Sequence, residues 1–363
     1  MRKQTVQGQD TWNKVTRQLL SWYDENRRDL PWRGTSDPYL VWVSEIILQQ
    51  TRVAQGWDYY IRFTRRFPNV ESLANASEEE VLRLWQGLGY YSRARNLHAA
   101  AKDIMSRFKG QFPTRYPDIL SLKGIGEYTA AAISSIAFNE PHVAVDGNVL
   151  RVIARLFEVE EPVQSAKGKQ TVSELTQELL PKELPGAFNQ ALMDLGSLIC
   201  VPRQPKCGDC PLADFCMAYA GRRTEELPVR MKKKKAKRRY FTYFHIRQEG
   251  NTYIRRRTDN DIWKNLYEFP LIETDKPIEM EELLQSNEYN QFLNETVSLS
   301  IDGPFTYNHL LTHQHIHANF YRVTLGKGTI HAFMDQYEQI TEEEIVRYPI
   351  SRLMHKYIET YSE

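Results

Sequence analysis

The chain has 363 residues, 41% hydrophobic and 26% charged, the balance of a folded globular protein and length enough for two ordinary domains. Its 47 Lys and Arg offset 46 Asp and Glu, leaving a formal net charge of +1. That excludes binding of nucleic acid through an overall basic coat, so any such binding must come from local patches. Met1 to Trp12 lacks the apolar stretch of a secretory signal, and no run of about 18 apolar residues offers a membrane span. A cytoplasmic protein without membrane contact is expected.

From Thr11 to about Ala220 the pattern is helical. Asp37-Pro38 reads as an N-cap with proline at the first helical position, followed by Val41, Trp42, Ile46 and Ile47 at helical spacing. Further helices are predicted over Glu78–Trp85, Ala94–Phe108, Tyr128–Phe138, Val149–Phe157 and Phe188–Ile199, punctuated by Gly and Pro. Leu227-Pro228 then leads into a basic run, Met231 to Arg239, which reads first as a solvated linker, a reading compatible with contact to a DNA backbone. Beyond it the character changes. Tyr240–Arg247 alternates as a strand, Glu249-Gly250-Asn251 is a turn signal, and Thr252–Arg257 and Phe320–Leu325 read as further strands. The second region is therefore expected to be α+β with antiparallel pairing.

All four cysteines lie close together, as Cys200-x6-Cys207-x2-Cys210-x5-Cys216. Nothing marks the chain as secreted, so disulfides are disfavoured. Four thiolates in one short loop suit a [4Fe–4S] cluster or a tetrahedral zinc. Upstream, Leu122-Lys123-Gly124-Ile125-Gly126 places two glycines around one apolar residue between two helices. Such a turn points backbone N–H groups at one phosphate oxygen without reading sequence. Twenty residues on, Val145-Asp146-Gly147-Asn148 opens a helix, with Asp146 placed as an N-cap.

Together the cysteine spacing, LKGIG and VDGN resemble the helix-hairpin-helix glycosylases over residues 10–220. The cysteine loop resembles that of endonuclease III and the MutY glycosylases, which implies one [4Fe–4S] cluster on the four thiolates. It also implies phosphate contacts from Arg203 and Lys206 and from the hairpin at Gly124 and Gly126. Lys123 stands where the family usually has proline. The resemblance makes Asp146 the catalytic carboxylate, with Asn148 beside it in the site.

Bifunctional members carry a lysine where this chain has Tyr128. A lysine there attacks C1′ and forms a Schiff base, which a tyrosine cannot. The expectation is a monofunctional enzyme that finishes with water. Asp29-Leu-Pro-Trp32-Arg33, the segment Ser44-Glu45-Ile-Ile-Leu-Gln49-Gln50-Thr51, and Gly87 to His98 are similar to the MutY family, adenine glycosylases in which this glutamate is the general acid. By that resemblance Arg33, Gln49, Gln50, Thr51, Tyr90, Tyr128 and Gln190 contact the DNA or line the base pocket. Gln49 and Tyr90 are placed to fill the gap left by an extruded base, and Gln190 to pair with an adenine edge.

Ile262 to Pro270 resembles the WEFPGG strand of Nudix domains, but Ile272–Phe292 carries Glu281-Glu282 without the metal signature of Nudix hydrolases. The expected fold is thus a mostly α N-terminal region followed by an α+β Nudix-like C-terminal domain. The N-terminal region would comprise a six-helix barrel module and an iron–sulfur module with the hairpin motif. Boundaries are expected at 1–220, 221–239 and 240–363. The Phe-Ser-His loop by which the family recognises 8-oxoguanine corresponds to Leu311-Thr312-His313, implicating Thr312 and His313. His309, His313, His315 and His317 lack the Cys, Asp or Glu that would complete a metal site. The implied partner is duplex DNA with A:8-oxoguanine or A:G mismatches, bound by a monomer. The rivals are an endonuclease III-like lyase and a non-catalytic DNA-binding protein.

Overall fold

The computed structural model describes residues 8–231, 236–292, 299–326 and 336–361. Part of the basic run, 232–235, lies outside them. The chain divides into two compact units. One holds Met1–Ala76 and Asn96–Lys232, the other Ser77–Arg95 and Lys233–Glu363.

The first unit is helical. Its elements are α1 (Gln9–Asn26), α2 (Pro38–Leu48), α3 (Val53–Arg66), α4 (Val70–Ala74), most of α6 (Ser92–Phe108), α7 (Tyr116–Leu120), α8 (Glu127–Phe138), α9 (Gly147–Leu156), α10 (Ala166–Leu179), α11 (Pro185–Leu198) and α12 (Met217–Ala220). α2 starts as its sequence requires. The Asp37 carboxylate accepts from Tyr39 N and Leu40 N, with Pro38 in the first turn, where no N–H is wanted. Seven of its eleven residues are buried side by side, so this helix lies inside the unit rather than on it. α8, with Ala130, Ala131, Ala132 and Ile133 all buried, packs against it. The small alanines bring the two backbones close, and this sets Tyr128 beside α2. A single core runs from Val15 and Leu19 of α1 through Val149, Val152 and Ile153 of α9 to Phe188, Leu192 and Leu195 of α11.

The hairpin between α7 and α8 has the conformation its glycines suggest. Gly124 sits at φ +79, and a Cβ there would lie 2.6 Å from Asn96 Cβ, so the position takes glycine for both backbone and space. Gly126 is different: its φ is −98 and a Cβ would meet nothing within 4 Å. It caps α8 without a side-chain acceptor, which leaves the first N–H groups of α8 uncapped by a side chain of their own N-cap.

The second unit contains α5 (Glu78–Leu84) and a seven-stranded sheet, followed by α15 (Arg352–Tyr361). The strands are β1 (Lys237–Gln248), β2 (Asn251–Arg256), β3 (Tyr267–Glu268), β4 (Leu271–Thr274), β5 (Leu299–Leu310), β6 (Gln314–Leu325) and β7 (Glu338–Thr341). The main order is β3-β2-β1-β6-β5, with β4 also on β1 and β7 on β2. The expected antiparallel pairing holds for all ladders but one: β1 and β6 run parallel along nearly their whole length. The two strands can run parallel because β2 to β5, with α13 (Met280–Leu284) and α14 (Asn287–Phe292), lie between them in sequence, a connection no tight hairpin constrains. The β1–β2 turn, with Glu249 at φ 50 and Gly250 at φ 81, is the hairpin that the sequence signals.

Both sheet faces bury side chains. Odd-numbered β1 residues, Phe241 and Tyr243, join Phe320 and Tyr357 of α15, whose rings stack at 4.3 Å. Even-numbered ones, Phe244 and Ile246, join Tyr321, Val323, Leu283 and Tyr289. Stacked aromatic pairs of this kind are each worth ~1 kcal/mol beyond burial.

Candidate active site

The helical unit holds a cavity of about 510 Å³, a size that suits a base-sized ligand. Arg33, Glu45, Gln49, Gln50, Thr51, Tyr128, Asp146, Asn148 and Gln190, residues scattered from position 33 to 190, all line it.

Glu45 comes from the buried helix α2, where its neighbours along the helix are apolar apart from Ser44. Burial pushes its carboxyl above the ordinary range; a hydrogen bond from Tyr128 and the charge of Arg33 oppose this, and Asp146 adds to it. The Tyr128 hydroxyl donates to Glu45 Oε2 at 2.6 Å. Tyr128 itself is held far above its ordinary pKa by burial and by both carboxyls, so it stays a donor.

Asp146 caps α9. Its Oδ1 accepts from Asn148 N and Val149 N, both at 2.8 Å, and its Oδ2 from Asn148 Nδ2 at 2.8 Å. Burial raises this carboxyl too, while the three N–H donors and Arg151 pull it down. The two carboxyls therefore have opposite surroundings. Glu45 has one hydroxyl donor in an apolar wall, and Asp146 has three N–H donors at the positive end of a helix.

The Asp146 contacts continue inward. Arg151 donates to Asn148 Oδ1 at 2.9 Å, to Gly196 O at 2.6 Å and to Cys200 O at 2.7 Å. A line of hydrogen bonds thus joins the cavity carboxylate to the first cysteine of the loop. α11 passes so close that a Cβ on Gly196 would lie 2.6 Å from Asn148 Cβ.

On the opposite wall, the Gln190 Oε1 atom accepts from both Tyr23 OH and Arg33. Arg33 donates further to the fully buried Asp194, which Arg28 also grips with Nε at 2.9 Å. In this structure the Gln190 oxygen is engaged by Tyr23 and Arg33, which leaves its Nε2 as the group that can donate. The sequence reading missed Asp194, Arg28, Arg151 and Arg155. Only the two α9 arginines carried a signal, as cations four apart on one face of a largely apolar helix; Arg28 and Asp194 carried none.

The Gln49 Nε2 donates to Thr129 at 3.3 Å, and Thr51 Oγ1 donates to Gln49 O. Gln50 sits at φ 57, a backbone strain of ~1 kcal/mol for a non-glycine residue.

Cys200, Cys207, Cys210 and Cys216 surround one small space together with Arg155. Among the described residues no three His, Cys, Asp or Glu converge as ligands of one ion. Burial pushes Cys210 up to about 12 and Cys216 up to about 11, so only a strongly cationic partner would keep them ionised. Arg155, 1% exposed, donates to Cys200 Sγ at 3.3 Å and to the carbonyls of Val201 and Leu227 at 2.8 and 3.0 Å. Arg203 and Lys206 are exposed on the same loop.

Tyr90, Thr312 and His313 belong to the sheet-containing unit. Tyr90, at φ 49 and 45% exposed, meets Thr312 Oγ1 through its hydroxyl at 2.9 Å. Thr312 and His313 form the exposed β5–β6 turn, which Leu311 N closes on Gln314 O. His315 and His317 share one face of β6, while His313 stands in the turn.

A hairpin cap, a helix-capping aspartate in a base-sized cavity and a four-cysteine loop define a base-excision DNA glycosylase. The model for the HhH-GPD superfamily base excision DNA repair proteins matches residues 43–182. That for the iron-sulfur binding domain of endonuclease III matches 200–216, and that for the NUDIX domain 242–360. The chain belongs to the adenine DNA glycosylase family. It is 38% identical over 253 residues to the adenine DNA glycosylase of Buchnera aphidicola subsp. Acyrthosiphon pisum, spanning 69% of this chain and 72% of that one. To that of Mus musculus it is 44% identical over 210 residues, 55% and 41% of the two chains. Among solved structures, a thermostable thymine-DNA glycosylase aligns with TM-score 0.53 at 30% identity, over 58% of this chain and 98% of that one. An endonuclease III–DNA complex shares the fold, with TM-score 0.51 at 20% identity over 60% and 98%. The cysteine loop carries a [4Fe–4S] cluster.

Proposed function

We propose that this base-excision enzyme removes adenine opposite 8-oxoguanine, and opposite guanine less readily, acting as a monofunctional glycosylase. The carrying observation is the pair of unlike carboxyls in one cavity. Adenine leaves C1′ poorly as an anion and well once protonated at N7. Glu45, raised by burial, supplies that proton, and such transfer is typically worth about 10²–10⁴-fold. Asp146, whose three N–H donors favour the ionised form against the burial that raises it, is the carboxylate that faces the positive charge developing on the sugar, stabilising it or trapping it covalently before water attacks.

Tyr128 and Asn148 act through these two groups. Arg33 orients Gln190, whose Nε2 is left to donate to a ring nitrogen of the base. Gln49, Gln50 and Thr51 at the end of α2 and Tyr90 in the other unit serve the DNA around the vacated position. Gly124, Gly126, Arg203 and Lys206 take phosphates, the hairpin through the uncapped N–H groups of α8. Thr312 and His313 meet the base opposite the adenine. The domain limits suggested by sequence, a monomeric state and action at the bacterial nucleoid belong to the same reading. Among the described residues no helix is long and apolar enough to cross a membrane.

The test is single-turnover base release from A:8-oxoguanine, A:G and A:C duplexes. The reading expects that order of rates. Equal rates on all three would overturn the part assigned to Thr312 and His313.

A further inference from the structure

Among the described residues the even-numbered face of β1 is covered at one end only. There Phe244 and Ile246 lie under Leu283 and Tyr289. At the other end the same face carries Arg238 and Tyr240, level with His315 and His317 of the parallel strand β6. Across the β5–β6 ladder His315 pairs with Leu310 and His317 with Asn308. The stacked rings of Tyr240 and His317, 5.2 Å apart and 17° from parallel, confirm that these side chains share a face.

This end of the sheet is open. Arg238 and Asn308 are exposed and Leu310 is 71% exposed, an unusual place for a large apolar side chain on a sheet. The six positions include a fixed cation, two imidazoles, a phenol, an amide and an apolar tip, with no carboxylate. β1 enters directly from the sequence run Lys232 to Lys235. One residue beyond Leu310 begins the turn that holds Thr312 and His313, and Thr312 is bonded to Tyr90 within the same unit. A ring-bearing strip with one arginine beside an exposed apolar side chain has the chemistry of a surface for a nucleic-acid strand, with a phosphate on Arg238 and sugar or base edges on the rings.

We propose that the open end of this sheet, from Leu310 through His315 and His317 to Tyr240 and Arg238, is a track for the DNA strand that carries the base opposite the adenine. The proposal rests on the reading of Thr312 and His313 as contacts to that base and extends it along the strand. The track contacts backbone, so it strengthens binding to every duplex alike, whereas the turn alone discriminates among opposite bases.

The experiment is equilibrium binding of the full-length, cluster-containing protein to an A:8-oxoguanine duplex and to a fully paired duplex over a range of salt. Arg238→Ala should lower the slope of log K against log salt by about 0.9, the signature of one lost phosphate contact, and weaken both duplexes by the same factor. Leu310→Glu, at a position too exposed to affect folding, should weaken both duplexes at an unchanged melting temperature. Thr312→Ala should leave the slope intact. Wild-type affinity and slope in Arg238→Ala and Leu310→Glu would overturn the track. A lowered slope in Arg238→Ala from a wild type with no preference for 8-oxoguanine would uphold the track and overturn the opposite-base reading instead.

Discussion

The Tyr128 hydroxyl donates to Glu45 Oε2 at 2.6 Å, and this bond favours the charged form of a carboxyl that burial drives toward the neutral one. In the proposed mechanism Tyr128 thereby sets the pH range over which Glu45 delivers a proton. That mechanism needs Glu45 protonated, so it expects a rate that is high below the raised pKa and falls as pH rises through it. Tyr128→Phe removes a contribution that lowers this pKa. The falling limb of the single-turnover pH profile should move to higher pH. A limb that stays in place or moves down would show that Tyr128 does not act through Glu45.

Asp146 both caps α9 and faces the cavity, and Asn can replace it in the first role only. Asp146→Asn should retain the fold within about 1 kcal/mol, because Asn caps a helix about as well as Asp. It should bind an A:8-oxoguanine duplex and release no adenine. Near-normal release in a single-turnover assay would remove Asp146 from the chemistry.

Tyr128 offers no amine for a Schiff base, so borohydride added during turnover should trap no enzyme–DNA adduct. Among the described residues, Lys169 is the single lysine that lines the cavity. A trapped adduct lost in Lys169→Ala would convert the enzyme's assignment from monofunctional glycosylase to lyase.

Arg151 connects Asn148, and through it Asp146, to the Cys200 carbonyl. Arg151→Met should slow base release while leaving the Glu45 limb of the pH profile where it is, since Arg151 touches only the aspartate side. Unchanged release would reduce Arg151 to a packing role.

Arg155 saturates several carbonyls and a sulfur around the cysteine loop. Arg155→Leu would leave those acceptors buried without donors, at a cost of about 2–4 kcal/mol. Thermal unfolding should begin earlier, and iron content per chain should fall. Full iron content with wild-type unfolding would show that the loop holds itself.

The residues that a motif names were legible because chemistry fixes them: a thiolate for iron, glycine where Gly124 needs φ +79, a carboxyl at the start of α9. What escaped was set by packing across the chain. Asp194 is indistinguishable in sequence from any helix aspartate, and only the fold brings Arg28 and Arg33 to it from more than 160 positions away. Gln190 showed the right side chain but not that its oxygen was committed. The parallel pairing of β1 with β6 escaped for the same reason, since a strand's sequence records which face is buried and not the direction of its neighbour.

The interleaving of the two units limits how this chain can be dismantled. Residues 77–95 precede most of the helical unit yet fold with the sheet. There Glu78 accepts from Asn265 and Arg256, Arg95 bonds the Lys264 carbonyl, and Tyr91 bonds the Ile350 carbonyl. A protease cut within the basic run would not free two finished modules. The carboxyl-terminal piece would lack the segment that carries Tyr90, and the amino-terminal piece would retain it with its partners gone. Recombining lesion-reading domains among relatives would have to exchange both stretches at once.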